Sequence, residues 1–439
     1  MRLEFRDWQP APTPPAPPPA VEEAGHRRTL LENGLRIVTE RVPETHVASI
    51  GVLIECGSRD ETPEESGLAH LCEHLLFQGT SSRSALQIAR QMDFAGGQIG
   101  AFTTRDYTCL SAVVLADHVY YALDLMGDVL LNSTFPEDAL AREKSVVERE
   151  LSGGSDVPSI RVVDLLKRNS WPGHALGRPI GGTPDSVTRH TREDLIYFFH
   201  RNYTPNRIVV AAAGNINHDD FVTDCRDAFW RLMGDSARLP LVAPVFKQGV
   251  SFDQIPSAQT YFAIGIPAPA YTHPERVATH LLTGLLGSGF SSRLFRRLRE
   301  DAGLVFDVHA DYHAYAEAGM IVIEGAARPD GVEQAVEGAI DTWNRLATGA
   351  EPVGDEELIG AKNRLRSQHQ IASGDMYTRM SRLATQELYF GHPLDVHEIQ
   401  ERIAAATVET VQREAWCLGG ANQQQPVHIA VAGPPVHGG

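Results

Sequence analysis

The chain has no run of apolar residues that approaches the length needed to cross a bilayer. Its first residues also lack the basic segment followed by an apolar stretch that marks a secretion signal. A spanning helix needs about 20 mainly apolar residues, and a signal peptide needs its own apolar core. We therefore expect neither a transmembrane segment nor a secretion signal, and we predict a cytoplasmic location.

Positive charge is scarce relative to negative charge. The 39 Lys and Arg residues stand against 56 Asp and Glu residues, so the formal net charge is −17 at pH 7. Proteins that bind nucleic acids or anionic lipids depend on clustered basic side chains. The composition therefore predicts no nucleic-acid partner and no membrane partner. The acidity would suit basic peptides, although it more often serves solubility, and both interpretations stay open.

Cysteine is also rare, and its spacing indicates no disulfide framework. The five cysteines stand at positions 56, 72, 109, 225 and 417, without a C-x-x-C pair. An odd number of scattered cysteines is typical of reduced, packed thiols in a cytosolic protein.

The order of the predicted elements indicates an α+β fold with two similar tandem α/β domains. A strand, a helix and a pair of strands recur in both halves of the 439 residues, although no residue-level repeat is visible. Residues 9–20 are rich in proline and should be extended. We predict a tail over residues 1–27, a catalytic domain over 28–238, a linker over 239–249 and a second domain over 250–439.

The most informative stretch is the pentapeptide His70-Leu71-Cys72-Glu73-His74. On a helix, positions i, i+3 and i+4 lie side by side, so His70 and His74 can bind one zinc ion with Glu73 beside them. The order H-x-x-E-H is that of the inverzincin metallopeptidases, in which the glutamate is the general base. Apolar residues at 68, 71 and 75 supply the buried face that such a helix needs.

Two histidines leave a catalytic zinc ion one protein ligand short. The helical stretch from Glu143 to Glu150 offers carboxylates two turns apart on one face. We choose Glu150 as the third ligand and Glu143 as a residue that orients the site. Spacing alone leaves a second interpretation open, in which these glutamates only form a solvated helix face.

The sequence resembles the M16 zinc metallopeptidases, the pitrilysin and mitochondrial-processing-peptidase family, especially its short bacterial members. The resemblance covers nearly all of residues 29 to 432. It is carried by residues 57–61 (Gly-Ser-Arg-Asp-Glu), 67–74 (Gly-Leu-Ala-His-Leu-Cys-Glu-His), 79–80 (Gly-Thr), 143–150, 181–183 (Gly-Gly-Thr), 203–206 (Tyr-Thr-Pro-Asn) and 213–215 (Ala-Gly-Asn). It implies that Glu150 completes the zinc site, that Glu73 is the base, and that two similar α/β domains form the fold.

Two positions depart from the pattern of the family. Gly100 stands on the strand beside the zinc motif where the family usually has an asparagine that contacts substrate. In the second half, Arg299 keeps the arginine of an Arg-Tyr pair, but Phe306 replaces the tyrosine. Losing one hydrogen-bond donor to the developing oxyanion typically costs about 10²–10³ in rate. The resemblance therefore implies a slow enzyme, or a homologous partner subunit that supplies an Arg-Tyr pair in a heterodimer; a homodimer is the alternative.

We interpret the chain as a zinc endopeptidase that cleaves short or unfolded peptides. Ala101, Phe102 and Thr103 would hold the peptide as an added β-strand, and Arg299 would contact it. One alternative is a dedicated maturation protease for a ribosomally made precursor, as in pyrroloquinoline-quinone or other modified-peptide pathways. The alternative of another class is a non-catalytic peptide-binding or scaffold subunit.

One further cluster allows two interpretations. His309, Asp311 and His313 alternate along a predicted strand and would share one face. They would form either a second metal site or a half-exposed polar strand face.

Overall fold

A computed structural model describes residues 21–23, 25–155, 158–238, 240–419 and 426–434. The proline-rich segment of residues 9–20 lies outside these ranges. At the end of the predicted tail, residues 21–23 and 26–30 are strands that pair with each other. In the described residues, no helix combines the length and the apolar character needed to span a bilayer.

The first half is built on a sheet with seven strands in the described residues, in the order β1-β2-β3-β7-β4-β6-β5. The strands are β1 (Val21–Glu23), β2 (His26–Leu30), β3 (Arg36–Arg41), β4 (Val47–Ile54), β5 (Gln98–Thr103), β6 (Thr108–Leu115) and β7 (Ile208–Gly214). Strands β4 and β7 are buried at nearly every position, which explains their continuous apolar sequences.

Helices of the first half enclose one face of this sheet and form the largest core. They are α1 (Leu68–Leu75), α2 (Ala85–Ala95), α3 (Val119–Asn132), α4 (Glu137–Ser155), α6 (Pro184–Arg189), α7 (Arg192–Asn202) and α8 (His218–Phe229). The first half also contains α5 (Pro158–Ser170), which packs on the second sheet.

The second half repeats the plan with a five-stranded sheet, in the order β10-β11-β9-β12-β8 among the described residues. Its strands are β8 (Gly249–Gln254), β9 (Thr260–Ala268), β10 (Val305–Ala314), β11 (Gly319–Ala327) and β12 (His428–Gly433). Its helices are α9 (Arg276–Gly287), α10 (Val332–Ala347), α11 (Asp355–Ala372), α12 (Met376–Phe390), α13 (Val396–Ala405) and α14 (Val408–Gly419), with a π-helical segment at Phe295–Asp301.

The two sheets share one topology over five strands. In each, one parallel pair (β3 with β7, β8 with β12) is followed by three antiparallel pairings that end at an edge strand, β5 or β10. Two tandem domains of mixed helices and sheets, the predicted fold class, are therefore confirmed. Strand β8 begins at Gly249, which is the last residue of the predicted linker.

The halves exchange one helix each. Helix α5 belongs to the first half by sequence but packs on β8, β9 and β12 of the second sheet, while α12 packs on β3, β4 and β7 of the first. A strand glycine lies under each crossing helix. A Cβ atom at Gly51 would lie 2.2 Å from Met380 Sδ, and one at Gly265 would lie 3.2 Å from Leu166 Cδ1. The exchange encloses the second face of both sheets, so the halves share cores as well as a chain.

Candidate metal centre

Helix α1, which carries the H-x-x-E-H motif, begins at a strained turn that only glycine tolerates well. Gly67 has φ +94°, and a Cβ atom there would lie 2.8 Å from the carbonyl oxygen of Gly181. The buried Glu61 carboxylate accepts hydrogen bonds from the backbone N–H groups of Gly67 and Ala69, at 3.0 and 2.8 Å. An acceptor of this kind satisfies donors that the first turn of a helix leaves free. The first turn, and with it His70, is thereby held in place.

The structure brings His70, His74 and Glu150 together. One ligand atom from each lies within 4.8 Å of the others, and the rings of His70 and His74 are edge to face at 4.6 Å. His74 Nε2 lies 3.4 Å from Glu150 Oε2. Helix α4 packs against α1, so a carboxylate about eighty positions along the chain reaches the histidines. These side chains are partly accessible rather than buried, as a site open to substrate requires.

Glu143, the residue expected to orient the site, lies behind His74. His74 Nδ1 is 3.1 Å from Glu143 Oε2, and Gln78 donates from Nε2 to the other carboxylate oxygen at 3.0 Å. A carboxylate on one ring nitrogen leaves the opposite nitrogen directed at the site and makes it a better metal donor. Gln78 was not predicted as a site residue, although it lies only four residues after His74.

The Glu73 carboxylate lies beside the two histidines and contacts the edge strand. Its Oε2 atom is 3.9 Å from His70 Nε2 and accepts a hydrogen bond of 3.2 Å from the Thr103 hydroxyl. Burial raises the pKa of Glu73, while His74 and the Thr103 hydrogen bond act in the opposite direction. The predicted base and one predicted substrate-binding residue are therefore neighbours.

The donor set fits zinc. Two imidazoles and one glutamate are the ligands of a well-known class of catalytic zinc sites that leave a fourth position open. Burial and the adjacent His74 lower the pKa of His70 to about 4, so its ring is neutral at pH 7, the state that binds metal. His70 Nδ1 is buried without a hydrogen-bond partner among the described atoms, beside Gly181 and Leu151.

Strand β5 forms the open edge beside this centre. Within the described ranges it pairs only with β6, so the opposite side of its backbone is free. Ala101, Phe102 and Thr103 occupy its end nearest Glu73, and Ala101 also packs against the core. A Cβ atom at Gly100 would meet no atom within 4 Å, so the missing asparagine leaves open space.

Arg299 contacts residues of the second half. It donates to the carbonyl oxygen of Phe306, and its guanidinium lies 5.2 Å from the Phe295 ring. Phe306 is 48% exposed. These contacts all belong to the second half, and no hydrogen bond or ion pair within the described ranges connects Arg299 to the centre on α1.

Family models and known proteins match this chain. The model of insulinase-type peptidases (peptidase family M16) matches residues 36–184, and that of the M16 inactive domain matches residues 189–365. An uncharacterised zinc protease of Mycobacterium tuberculosis is 37% identical over 412 residues, which cover 91% of this chain and 92% of the relative. The chain belongs to peptidase family M16. Zinc is the cofactor of this family, and the predicted family and cofactor are confirmed.

Two further likenesses cover almost the whole chain. An uncharacterised zinc protease of Bacillus subtilis is 34% identical over 385 residues, 88% of this chain and 93% of the relative. A crystal structure titled as a peptidase M16 inactive domain from Pseudomonas fluorescens has a TM-score of 0.85 at 20% identity, and it covers 94% of this chain and 98% of the other. The latter likeness concerns the fold alone.

Proposed function

We propose that the chain is a zinc-dependent endopeptidase whose metal ligands are His70, His74 and Glu150. The observation that supports this most strongly is the convergence of three donor atoms within 4.8 Å, next to the Glu73 carboxylate. The packing of α1 against α4 does not by itself require two imidazoles and the three carboxylates of Glu73, Glu143 and Glu150 at one partly accessible site. Catalysis by a metal and a general base requires this set.

Each side chain of the site has a separate role in the proposed reaction. Zinc held there supplies a Lewis acid that lowers the pKa of a coordinated water to about 7. Glu73 accepts a proton from the attacking water and later delivers it to the leaving amine. The Thr103 hydroxyl fixes the orientation of the Glu73 carboxylate through its 3.2 Å hydrogen bond. Glu143 fixes the His74 ring from behind.

The substrate we propose is an extended peptide, bound along the free edge of β5. Backbone N–H and C=O groups of residues 98–103 that do not pair with β6 can pair with a peptide strand. Such pairing places a peptide bond near Thr103 and therefore near Glu73. It selects for extended chains more than for sequence, which favours short or unfolded peptides.

We also propose that full activity requires a homologous subunit that supplies an Arg-Tyr pair. The Phe306 side chain cannot donate a hydrogen bond, and among the described residues Arg299 donates to Phe306 and lies over the Phe295 ring. The second half of this chain therefore offers no hydroxyl at the position where the family pattern has one.

The replacement Glu73→Gln tests the assigned mechanism. The amide keeps the shape of the side chain but cannot accept the proton, so zinc content and fold should persist while cleavage of extended peptides is lost. Glu64→Gln, on an exposed residue of the preceding loop, is the matched control and should cleave as wild type does. Cleavage by Glu73→Gln at the wild-type rate would refute the mechanism. Tight peptide binding by a wild-type chain that never cleaves, with or without a partner, would instead favour a non-catalytic subunit.

A further inference from the structure

The two faces of strand β10 have different characters. Val308 and Ala310 are buried in the core of the second half, while His309 and Asp311 alternate with them on the opposite face. Helix α5, which encloses that opposite face of the sheet, packs mainly on β8, β9 and β12. Polar side chains at the β10 edge are therefore not covered by the crossing helix.

Three donor groups converge on this uncovered edge. His309 is the direct cross-strand partner of Glu324 on β11, and Asp311 is two residues farther along β10. His309 Nε2 lies 3.6 Å from Asp311 Oδ2 and 3.9 Å from Glu324 Oε2, and all three donor atoms lie within 4.8 Å of one another. Donors around a tetrahedral zinc ion are roughly 3.5 Å apart, since each bond is about 2.1 Å long. Small rotations of the Asp311 and Glu324 side chains would complete that geometry.

The cluster carries more negative than positive charge, although Lys167 and Arg105 line the same cavity as Glu324. His309 is also 3.6 Å from Asp307 through Nδ1, so three carboxylates surround one imidazole. In the part of the chain that the structure describes, no Lys or Arg forms an ion pair with Asp307, Asp311 or Glu324. Burial and the Asp311 carboxylate raise the pKa of Glu324, whereas His309 and Lys167 lower it.

The cluster resembles the centre on α1 in the way that carboxylates surround the two ring nitrogens of a histidine. There, Glu143 lies 3.1 Å from Nδ1 of His74 and Nε2 faces the site; here, Asp307 lies 3.6 Å from Nδ1 of His309 and Nε2 faces Asp311 and Glu324. An imidazole with carboxylates suits borderline first-row divalent ions. We propose that His309, Asp311 and Glu324 form a second divalent-cation site, which takes Zn²⁺ or Co²⁺.

This second site lies on the cleft between the halves. Glu324 lines a cavity of about 420 Å³ together with Leu151 and Gly181, residues that also border the first centre. The cluster predicted from sequence was His309, Asp311 and His313; the cross-strand residue Glu324 replaces His313. Because the site is half open and has fewer imidazoles than the first, it should bind its ion more weakly.

The test separates the two sites by removing the first. In the full chain with His70→Ala and His74→Ala, Co²⁺ titration followed by d–d absorption and by equilibrium dialysis should show about one bound equivalent. Adding Glu324→Gln or, separately, the exposed Asp311→Asn should weaken that binding by about tenfold or more, in line with the share that one ligand holds in a site. Asp330→Asn, an exposed carboxylate of the same half that pairs with Arg328, is the charge-matched control and should leave binding unchanged.

Two results would overturn the proposal. One is a His70→Ala, His74→Ala chain that is folded by circular dichroism and binds no Co²⁺. The other is equal affinity in the Asp311→Asn and Asp330→Asn chains, which would mean that only general charge attracts the ion. Peptidase activity plays no part in these measurements, so the outcome is independent of the function proposed above.

Discussion

The two halves of the molecule share one sheet topology, but the helix that follows the equivalent strand has different side chains in each half. Helix α1 follows β4, and α9 follows β9, which is the equivalent strand. Helix α1 presents two histidines and a glutamate. Helix α9 presents His280, whose ring packs edge to face at 4.9 Å on Tyr312, and Thr279, which donates to Glu414 at 2.7 Å.

The two histidines differ in their neighbours rather than in their pKa. The pKa of His280 is lowered by burial to about 4, as is that of His70. His70 has His74 and Glu150 beside it, whereas His280 belongs to no group of three potential metal ligands among the described residues. A duplicated fold thus provides two similar helix positions, and side-chain identity at three or four places decides which of them can bind a metal.

The largest expected effect tests this difference directly. Glu150→Gln should reduce tightly bound zinc from about one equivalent per chain to a small fraction after dialysis, since a ligand holds a large share of site affinity. Glu143→Gln should weaken zinc affinity by only about 10–100-fold, because it acts through His74. His280→Ala in the second half should leave zinc content unchanged. Metal analysis that shows unchanged zinc in Glu150→Gln would remove this residue from the site.

A second prediction concerns what the second half fails to provide. The isolated chain should cleave extended peptides weakly, and a homologous subunit with an Arg-Tyr pair should raise kcat/KM by about 100-fold or more, the size of a restored oxyanion donor. Phe306→Tyr should recover part of this gain only if the second half of the same chain faces its own zinc. Full activity of the wild-type chain alone, with no gain from a partner, would show that the chain is self-sufficient.

The helix exchange predicts that a core mutation in a helix of one half destabilises the sheet of the other half. Leu166 on α5 and Leu383 on α12 are both fully buried against the opposite sheet, so replacing either by alanine should cost about 2–5 kcal/mol. Hydrogen exchange should accelerate in β9 and β12 for Leu166→Ala, and in β4 and β7 for Leu383→Ala. Ile160→Ala, on an exposed position of α5, should cost less than about 0.5 kcal/mol. Acceleration confined to the half that carries the mutation by sequence would contradict the shared cores.

A further prediction concerns the extra strands of the first sheet. His218 bridges the hydroxyls of Thr29 on β2 and Thr39 on β3, at 2.8 Å each. Burial and the nearby Arg27 lower the pKa of His218 to about 4, although Asp219 opposes them. The unfolded chain takes up this proton near pH 6.5 and the folded chain only near pH 4. Stability should therefore fall as the pH drops from 6.5 to 4, by on the order of 3 kcal/mol.

Urea denaturation at several pH values would measure this loss. His218→Gln should be less stable at pH 7 but should show a shallower slope between pH 6.5 and 4. An unchanged slope would assign the acid sensitivity to other groups. Among the described residues, the second sheet has no counterpart of β1 and β2, so hydrogen exchange in β9 and β12 should follow this transition less closely.

Much of the site was predictable because its residues are close in sequence. His70, Glu73 and His74 lie on one helix, whose geometry alone places them side by side, and Glu143 and Glu150 share a face for the same reason. Gln78, Glu61 and Gly181 were not identified as contributors. Gln78 and Glu61 support the site through hydrogen bonds, and Gly181 supports it through close contact with the start of helix α1. Each of these contacts forms only when the chain is folded.

The sequence by itself determined the local elements, namely the motif helix and the repeated order of strands and helices. It also showed that position 306 has no hydroxyl group. Tertiary structure alone decided three things. It brought α4 to α1, so that Glu150 meets the histidines; it exchanged α5 and α12 between the sheets; and it set Glu324 opposite His309. Helix and strand periodicity depends on neighbours a few residues apart, whereas these contacts join residues whose separation along the chain carries no periodic signal.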